Sequence, residues 1–335
     1  MYKEELILNN MCLYPKLIKN RKYIANKKNG GVIPAVYDKR VLIVPVGCGK
    51  CIECKNLKAR EWNVRLQEEI RHNKNGKFVT LTFSNESIKE LSKEIKLEGY
   101  DRDNEIVRIA VRRFLERWRK KYKKSVKHWL VSELGGNGTE NVHLHGILWT
   151  DVDSKTINKI WNYGFTWIGE KNNGGYVNEK TINYITKYVT KTDLKHKEYN
   201  SKILCSPGIG KNYMERIDSE LNKYNGEKTK ETYTTRQGKK LALPIYYRNK
   251  IYSEEEKEKL WLQKLDKEER YICGEKVDIS KGEDNYYKLL IYYRNKNIRL
   301  GYGDDSKNWN LKRYENDRRN ILFKERLKNK NLAKR

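Results

Sequence analysis

What this sequence lacks narrows it first. No run of apolar residues approaches the roughly 20 that a membrane-spanning helix needs. The short apolar stretch after Met1-Tyr2-Lys3-Glu4-Glu5 stops at Asn9-Asn10, so neither a spanning segment nor a signal peptide is expected. No internal repeat is visible. Gly208-Ile209-Gly210-Lys211 has neither the spacing nor the following Ser or Thr of a P-loop, which argues against an ATP-driven helicase. Cysteines are few, and three of the six crowd into Cys48–Cys54. That is the pattern of a metal site in a reducing compartment, not of a disulfide framework. A soluble, cytoplasmic protein is expected.

Acidic residues are outnumbered. Lys and Arg total 72 against 44 Asp and Glu, a formal net charge of +28 over 335 residues. Such an excess calls for a polyanionic partner, nucleic acid before an acidic membrane surface. The abundance of Lys, Asn and Ile shows that AT-rich coding bias contributes part of it. The 8 Trp and 24 Tyr are harder to assign to bias. Aromatic rings among cations offer stacking platforms for single-stranded bases.

Three stretches are expected: 1–75, a Cys-rich segment with a lead-in helix; 76–195, a catalytic core; and 196–335, ending in a basic tail. Residues 1–47 are turn-rich and Ile52–His72 reads as a charged amphipathic helix. Phe78–Phe83 is a β-branched, aromatic strand. Ile106, Ile109, Ala110, Phe114 and Trp118 recur at helical spacing over 105–122. The cations between them, Arg112, Arg113, Arg117, Arg119 and Lys120, form a basic outer face and a candidate DNA contact. Strands follow at His128–Leu134 and Asn141–Trp149, with Gly135-Gly136-Asn137-Gly138 supplying the positive φ of a hairpin turn. Ser154 reads as the cap of a helix through Trp161 ended by Gly164, Phe165–Ile168 as a fourth strand, and 179–192 as a helix. The order β-α-β-β-α-β predicts an α+β fold of the split βαβ kind, ferredoxin- or RRM-like: an antiparallel sheet with helices on one face. Further on, Leu243–Arg248 reads as a strand, Ser253–Leu265 as a helix capped by Ser253, and Leu311–Arg335 as a basic helix that touches DNA or lies solvated.

The chemistry concentrates in two places. On a strand, His143 and His145 project to one face while Val142 and Leu144 project to the other. Two imidazoles so placed can share a metal ion. Glu133, on the strand paired through the hairpin, is the expected third ligand, and a carboxylate with two imidazoles suits Mg2+ or Mn2+. On the helix near residue 185, Tyr184 and Tyr188 are one turn apart, as are Lys187 and Lys191. Both phenols lie off the Ile182/Ile185/Val189 stripe and beside cations that would favour the phenolate. A metal beside paired phenols in so basic a chain points to phosphodiester chemistry. Cys48, Cys51 and Cys54 give three thiolates around one turn, and Cys12 is the candidate fourth. Structural zinc, free thiols and an iron–sulfur cluster all suit that spacing. His72 and His196 read as isolated surface residues, and His128 as structural rather than as support for a metal ligand.

These residues resemble the HUH endonucleases of rolling-circle replication. His143-Leu144-His145 is similar to the family's defining strand, Phe78–Thr82 to its preceding strand motif, and Tyr184-x-x-Lys187-Tyr188-x-x-Lys191 to the two-tyrosine helix of microvirus initiators. The likeness extends to the gokushovirus-type initiators through Met11–Pro15, Cys48–Cys54 with Ala59-Arg60-Glu61-Trp62, Cys205–Gly210 and Leu243–Tyr247, covering roughly residues 10–260. Val142 departs from the Pro that many members carry before the first His. The resemblance implies a metal-dependent, site-specific nickase and ligase that links a tyrosine to the 5′ end at the viral origin. Its partners would be single-stranded or replicative-form origin DNA and a host polymerase and helicase, in the bacterial cytoplasm. Lys187 and Lys191 would hold phosphates or stabilise phenolates. Within the same chemistry the alternatives are a plasmid initiator, relaxase or transposase; outside it, a non-catalytic, zinc-stapled single-strand-binding protein.

Overall fold

The computed structural model describes residues 12–136, 140–169, 177–191, 196 and 199–304. The chain forms two compact units that interleave along the sequence. One takes the chain up to Lys55, Tyr224–Thr229 and everything from Asn249 on; the other takes Asn56–Lys223 and Lys230–Arg248. In the first, β1 (Lys16–Lys19) and β2 (Ile43–Val46) pair antiparallel. Helix α1 (Ile52–His72) has the expected span; from Asn56 onward it belongs to the second unit.

The second unit is built on β3 (Gly76–Leu81), α2 (Asn85–Ser92), α3 (Gly99–Tyr122), β4 (Lys127–Leu134), β5 (Val142–Trp149), α4 (Ser154–Trp161), β6 (Thr166–Ile168), α5 (Glu179–Thr190) and β7 (Ile203–Cys205). Five strands form one antiparallel sheet in the order β6-β3-β5-β4-β7. β5 lies between β3 and β4, and β3 lies between β5 and β6, so both helical crossovers are split by an intervening strand.

The sheet is covered on both faces, which corrects the expectation of helices on one. Val79, Leu81, Leu130, Leu144 and Leu148 pack against Ile106, Ala110 and Phe114 of α3 and Ile157 and Trp161 of α4. Residues of opposite parity, Trp129, Val131, Ile147 and Trp149, pack against Leu66 and Ile70 of α1 and Ile182, Ile185 and Val189 of α5. The reason lies in β5. Beyond the histidines its second face continues as Ile147 and Trp149, which are apolar and need cover as much as the first.

Local signals explain most boundaries and several departures. Asp153, not Ser154, caps α4 by accepting from the Thr156 N–H at 2.8 Å, and Asn162 at φ 53° ends it ahead of Gly164. In the β4–β5 turn the left-handed residue among those described is Glu140, at φ 51°, rather than Gly135 or Gly136; residues 137–139 lie outside the described set.

The chain continues through α6 (Ile217–Glu220), the hairpin β8 (Thr232–Thr234) and β9 (Lys240–Ala242), α7 (Ile245–Ile251), α8 (Glu254–Asp266), the hairpin β10 (Glu269–Ile272) and β11 (Glu275–Asp278), and α9 (Asp284–Arg299). The strand expected at Leu243–Arg248 is thus largely helix. Pro244, whose missing N–H costs nothing at a helix start, accepts from the N–H groups of Tyr247 and Arg248. Ser253 caps α8 in a box with Glu256, as expected. The basic helix expected at Leu311–Arg335 lies outside the described residues. In the first unit, Leu13, Tyr14, Ile272, Tyr286 and Leu290 pack around Cys12 and Cys51. No helix among the described residues is long and apolar enough to cross a membrane.

Candidate metal centre and tyrosine pair

Glu133 pairs directly with His143 in the β4–β5 ladder, and His145 pairs with Val131 two residues on. Alternation then sends all three functional side chains to the α1/α5 face. The Nε2 atoms of His143 and His145 stand 3.0 Å apart, and Glu133 Oε2 lies 3.4 Å from the first and 3.0 Å from the second. The outer ring nitrogens are held from behind. His143 Nδ1 faces the Asn141 carbonyl at 3.4 Å, and His145 Nδ1 lies 3.0 Å from Thr80 Oγ1. A carbonyl only accepts, so it fixes N–H at Nδ1 of His143 and leaves the Nε2 lone pair facing the other donors. Burial works against charge on Glu133, but hydrogen bonds from His143, His145 and Lys191 outweigh it and hold the carboxyl below its ordinary value.

Helix α5 brings the tyrosines to this point. Asn178 starts it in a capping box with Thr181, and Ile182, Ile185 and Val189 bury one face. The Tyr188 ring stacks on His145, centroids 4.1 Å apart and planes within 11°. Its hydroxyl donates to the Tyr184 hydroxyl at 2.8 Å, and the Tyr184 ring is 48% exposed. Lys187 lies over the Tyr184 ring at 5.5 Å and Lys191 over the Tyr188 ring at 5.9 Å. Two expectations change here. Lys191 is ion-paired to Glu133 rather than standing free for a phosphate. The Tyr188 phenol is pushed up, by burial first and then by its bond to Tyr184 and the nearby Glu133 charge, not down.

Two residues of this site escaped the sequence reading, although the Phe78–Thr82 strand held them. Thr80 orients His145, and Phe78 lies parallel to its ring at 6.3 Å. Their shared parity in β3 was the available signal.

The four named cysteines converge in the first unit, with all their sulfurs within 4.8 Å of one another. Cys12 Sγ lies 3.9 Å from Cys51 Sγ, and Cys48 Sγ 4.0 Å from Cys54 Sγ, so none is in a disulfide. Backbone N–H groups of Tyr14 and Cys48 point at the Cys12 sulfur, and those of Lys50 and Cys51 at the Cys48 sulfur. Gly47 leaves room for this; a Cβ there would stand 3.0 Å from Cys54 Sγ.

The basic residues of α3 lie on the helix that covers the opposite face of the sheet from His143. Arg117 donates to the carbonyls of Ile160 and Trp161, Arg113 pairs with Glu94, Arg112 stands 3.7 Å from Glu116, and Arg119 donates to Ser125 Oγ. Arg112, Arg119 and Lys120 are exposed. His72 is exposed as expected, but His196 is buried, 3.1 Å from Glu140. His128 is buried in β4, its Nδ1 3.1 Å from the Val126 carbonyl.

The family model for the replication-associated protein ORF2 matches residues 76–193. That span begins with β3, ends just past α5, and contains the Glu133/His143/His145 group and both tyrosines; the four cysteines lie outside it. The chain is also similar to the replication-associated protein ORF2 of Spiroplasma virus 4. Identity is 28% over 250 residues, which cover 62% of this chain and 72% of the relative. No solved structure matches the chain.

Proposed function

We propose that this chain initiates rolling-circle DNA replication by cutting one strand at a specific site with a tyrosine, as an HUH endonuclease of the microvirus, gokushovirus-like kind. The observation that carries the reading is the stacking of Tyr188 on His145, which sets two hydrogen-bonded phenols beside three converging metal donors. The likeness to replication-associated proteins over the same residues supports it. Residues 76–195 would carry the chemistry, with a host polymerase and helicase as partners in a bacterial cytoplasm.

The donor set fits a divalent ion. It offers one carboxylate and two imidazoles, the Nδ1 of each imidazole engaged from behind. Mg2+ or Mn2+ held by Glu133, His143 and His145 would neutralise charge on the attacked phosphate. Thr80 and the Asn141 carbonyl keep the imidazoles in register, and Lys191 fixes the remaining Glu133 oxygen. Lys187, beside Tyr184, offers a cation to the strand's phosphates. One phenol oxygen forms a bond to phosphorus as the bond to the 3′ oxygen breaks. The proton lost by the phenol balances the one gained by the released 3′-hydroxyl, which primes a polymerase. One phosphodiester replaces another, so the reverse reaction is ligation. A second phenol one turn away lets a new cut begin while the first still holds the 5′ end.

The test is a covalent adduct. Wild type with single-stranded DNA from the origin of its own replicon and Mn2+ should give a protein–DNA band that survives SDS. His143→Ala/His145→Ala should give none, yet keep most DNA affinity, which basic surface contacts dominate. Binding without any adduct in wild type would favour the non-catalytic strand-binding reading.

For the cysteine group we propose structural zinc. Zn–S bonds of about 2.3 Å in a tetrahedron place sulfurs about 3.8 Å apart, close to the 3.9 and 4.0 Å separations found here. Thiolates bound to separate irons of a cluster would stand farther apart.

A further inference from the structure

The edge of the sheet beside the candidate centre carries aromatic rings that the proposed chemistry leaves unused. β6 pairs on one side with β3, and among the described residues no strand pairs with its other side. Trp167 on this edge is 48% exposed and Phe165, just before the strand, 68%. Ile168, of opposite parity, is buried with the α3/α4 core, so Trp167 looks out from the α1/α5 face.

Strand register ties Trp167 to the metal donors. His145 pairs with Thr80, and Thr80 pairs on its other side with Trp167. The three residues form one row across the sheet, which puts the Trp167 backbone about 10 Å from that of His145. Side chains fill the interval. Phe78 lies parallel to the His145 ring at 6.3 Å and meets the rings of Tyr184 and Trp167 edge-on, at 6.1 and 5.7 Å. Phe165 flanks the same row, its carbonyl accepting from the N–H and hydroxyl of Thr82 at 2.9 and 2.8 Å.

We propose that Trp167, with Phe165 beside it, is a stacking platform for the bases of single-stranded DNA that flank a phosphate held at the Glu133/His143/His145 site. The inference rests on the proposed nickase reading and adds to it where the strand runs. An exposed indole backed edge-on by a phenyl ring, in a chain of net charge +28, presents a rigid flat face to a polyanion whose bases have flat faces too. Duplex DNA, with its bases stacked on one another, cannot use that face, so the platform selects single strands. It reads no base edge and confers little sequence preference of its own.

The test uses the full chain, a chelator to suppress cleavage, and one labelled mixed-sequence oligonucleotide offered single-stranded or as its duplex. Trp167→Ala should weaken single-strand binding at least about fivefold, Phe165→Ala less, and Trp167→Phe should restore most of the loss. Duplex affinity and the salt dependence of binding should not change, because no phosphate contact is removed. In wild type, single strands bearing iodouracil should photocrosslink to the peptide containing Phe165 and Trp167. Unchanged single-strand affinity in the Phe165→Ala/Trp167→Ala double variant, an equal loss on duplex, or crosslinks confined to other peptides would overturn the platform. Adduct formation is scored separately. A platform without an adduct would sink the nickase reading alone, and an adduct without these binding losses would sink the platform alone.

Discussion

At the scale of single residues, His145 is the most constrained group in the site: Thr80 holds its Nδ1, Phe78 and Tyr188 flank its ring, and Glu133 and His143 meet its Nε2. His128, on the neighbouring strand, has a simpler surrounding and a consequence for pH. Burial pushes its pKa below the ordinary 6.5, only partly offset by the bond to the Val126 carbonyl. The unfolded chain therefore takes up a proton that the folded chain resists. Stability is complete above about pH 6.5 and is lost as pH falls through the lower folded value. Thermal melting of wild type should weaken across that window, and His128→Gln should flatten the dependence; an unaltered profile would remove His128 as its source. The histidines, Glu133 and the tyrosines were legible because period-two and period-3.6 patterns fix faces. The Lys191–Glu133 pair was not, because a cation's partner is set by where two distant segments come together.

At the scale of elements, the glycine after the histidines has a packing reason. A Cβ on Gly146 would lie 2.2 Å from the Trp129 carbonyl oxygen and 2.8 Å from Leu130 Cα, backbone atoms that cannot swing aside. Gly146→Ala should push β4 and β5 apart in the ladder that pairs Glu133 with His143, costing about 1–3 kcal/mol of stability. Wild-type melting in the Ala variant would contradict that close approach. Sequence alone shows a glycine inside a strand, which marks a bulge or a near neighbour without saying which. α1 was legible to the residue because nothing interrupts its pattern. α7 was not: Leu243–Arg248 is rich in strand-favouring residues, and Pro244 together with the burial of Tyr247 decided for helix.

At the scale of the whole molecule, the interleaving of the units has no local signature. The first unit is tied by contacts such as the Ile52 N–H to Asn297 Oδ1 and Arg294 Nε to the Leu13 carbonyl, between residues more than two hundred positions apart. Cys12 joins Cys48, Cys51 and Cys54 in the same way, across a long loop that one metal would close. Purified protein should carry about one equivalent of zinc, and its removal by a strong chelator should abolish a melting transition. Full stability with no metal would mean free thiols. The central claim concerns the other group. Phenylalanine keeps each tyrosine ring and removes its nucleophile, so Tyr184→Phe and Tyr188→Phe should each still form a DNA adduct and the double variant none. Mass spectrometry of the adducted peptide is the most direct measurement. The account predicts DNA on Tyr184 or Tyr188 in wild type, shifting to the remaining tyrosine in each single variant; DNA attached to any other residue would contradict it.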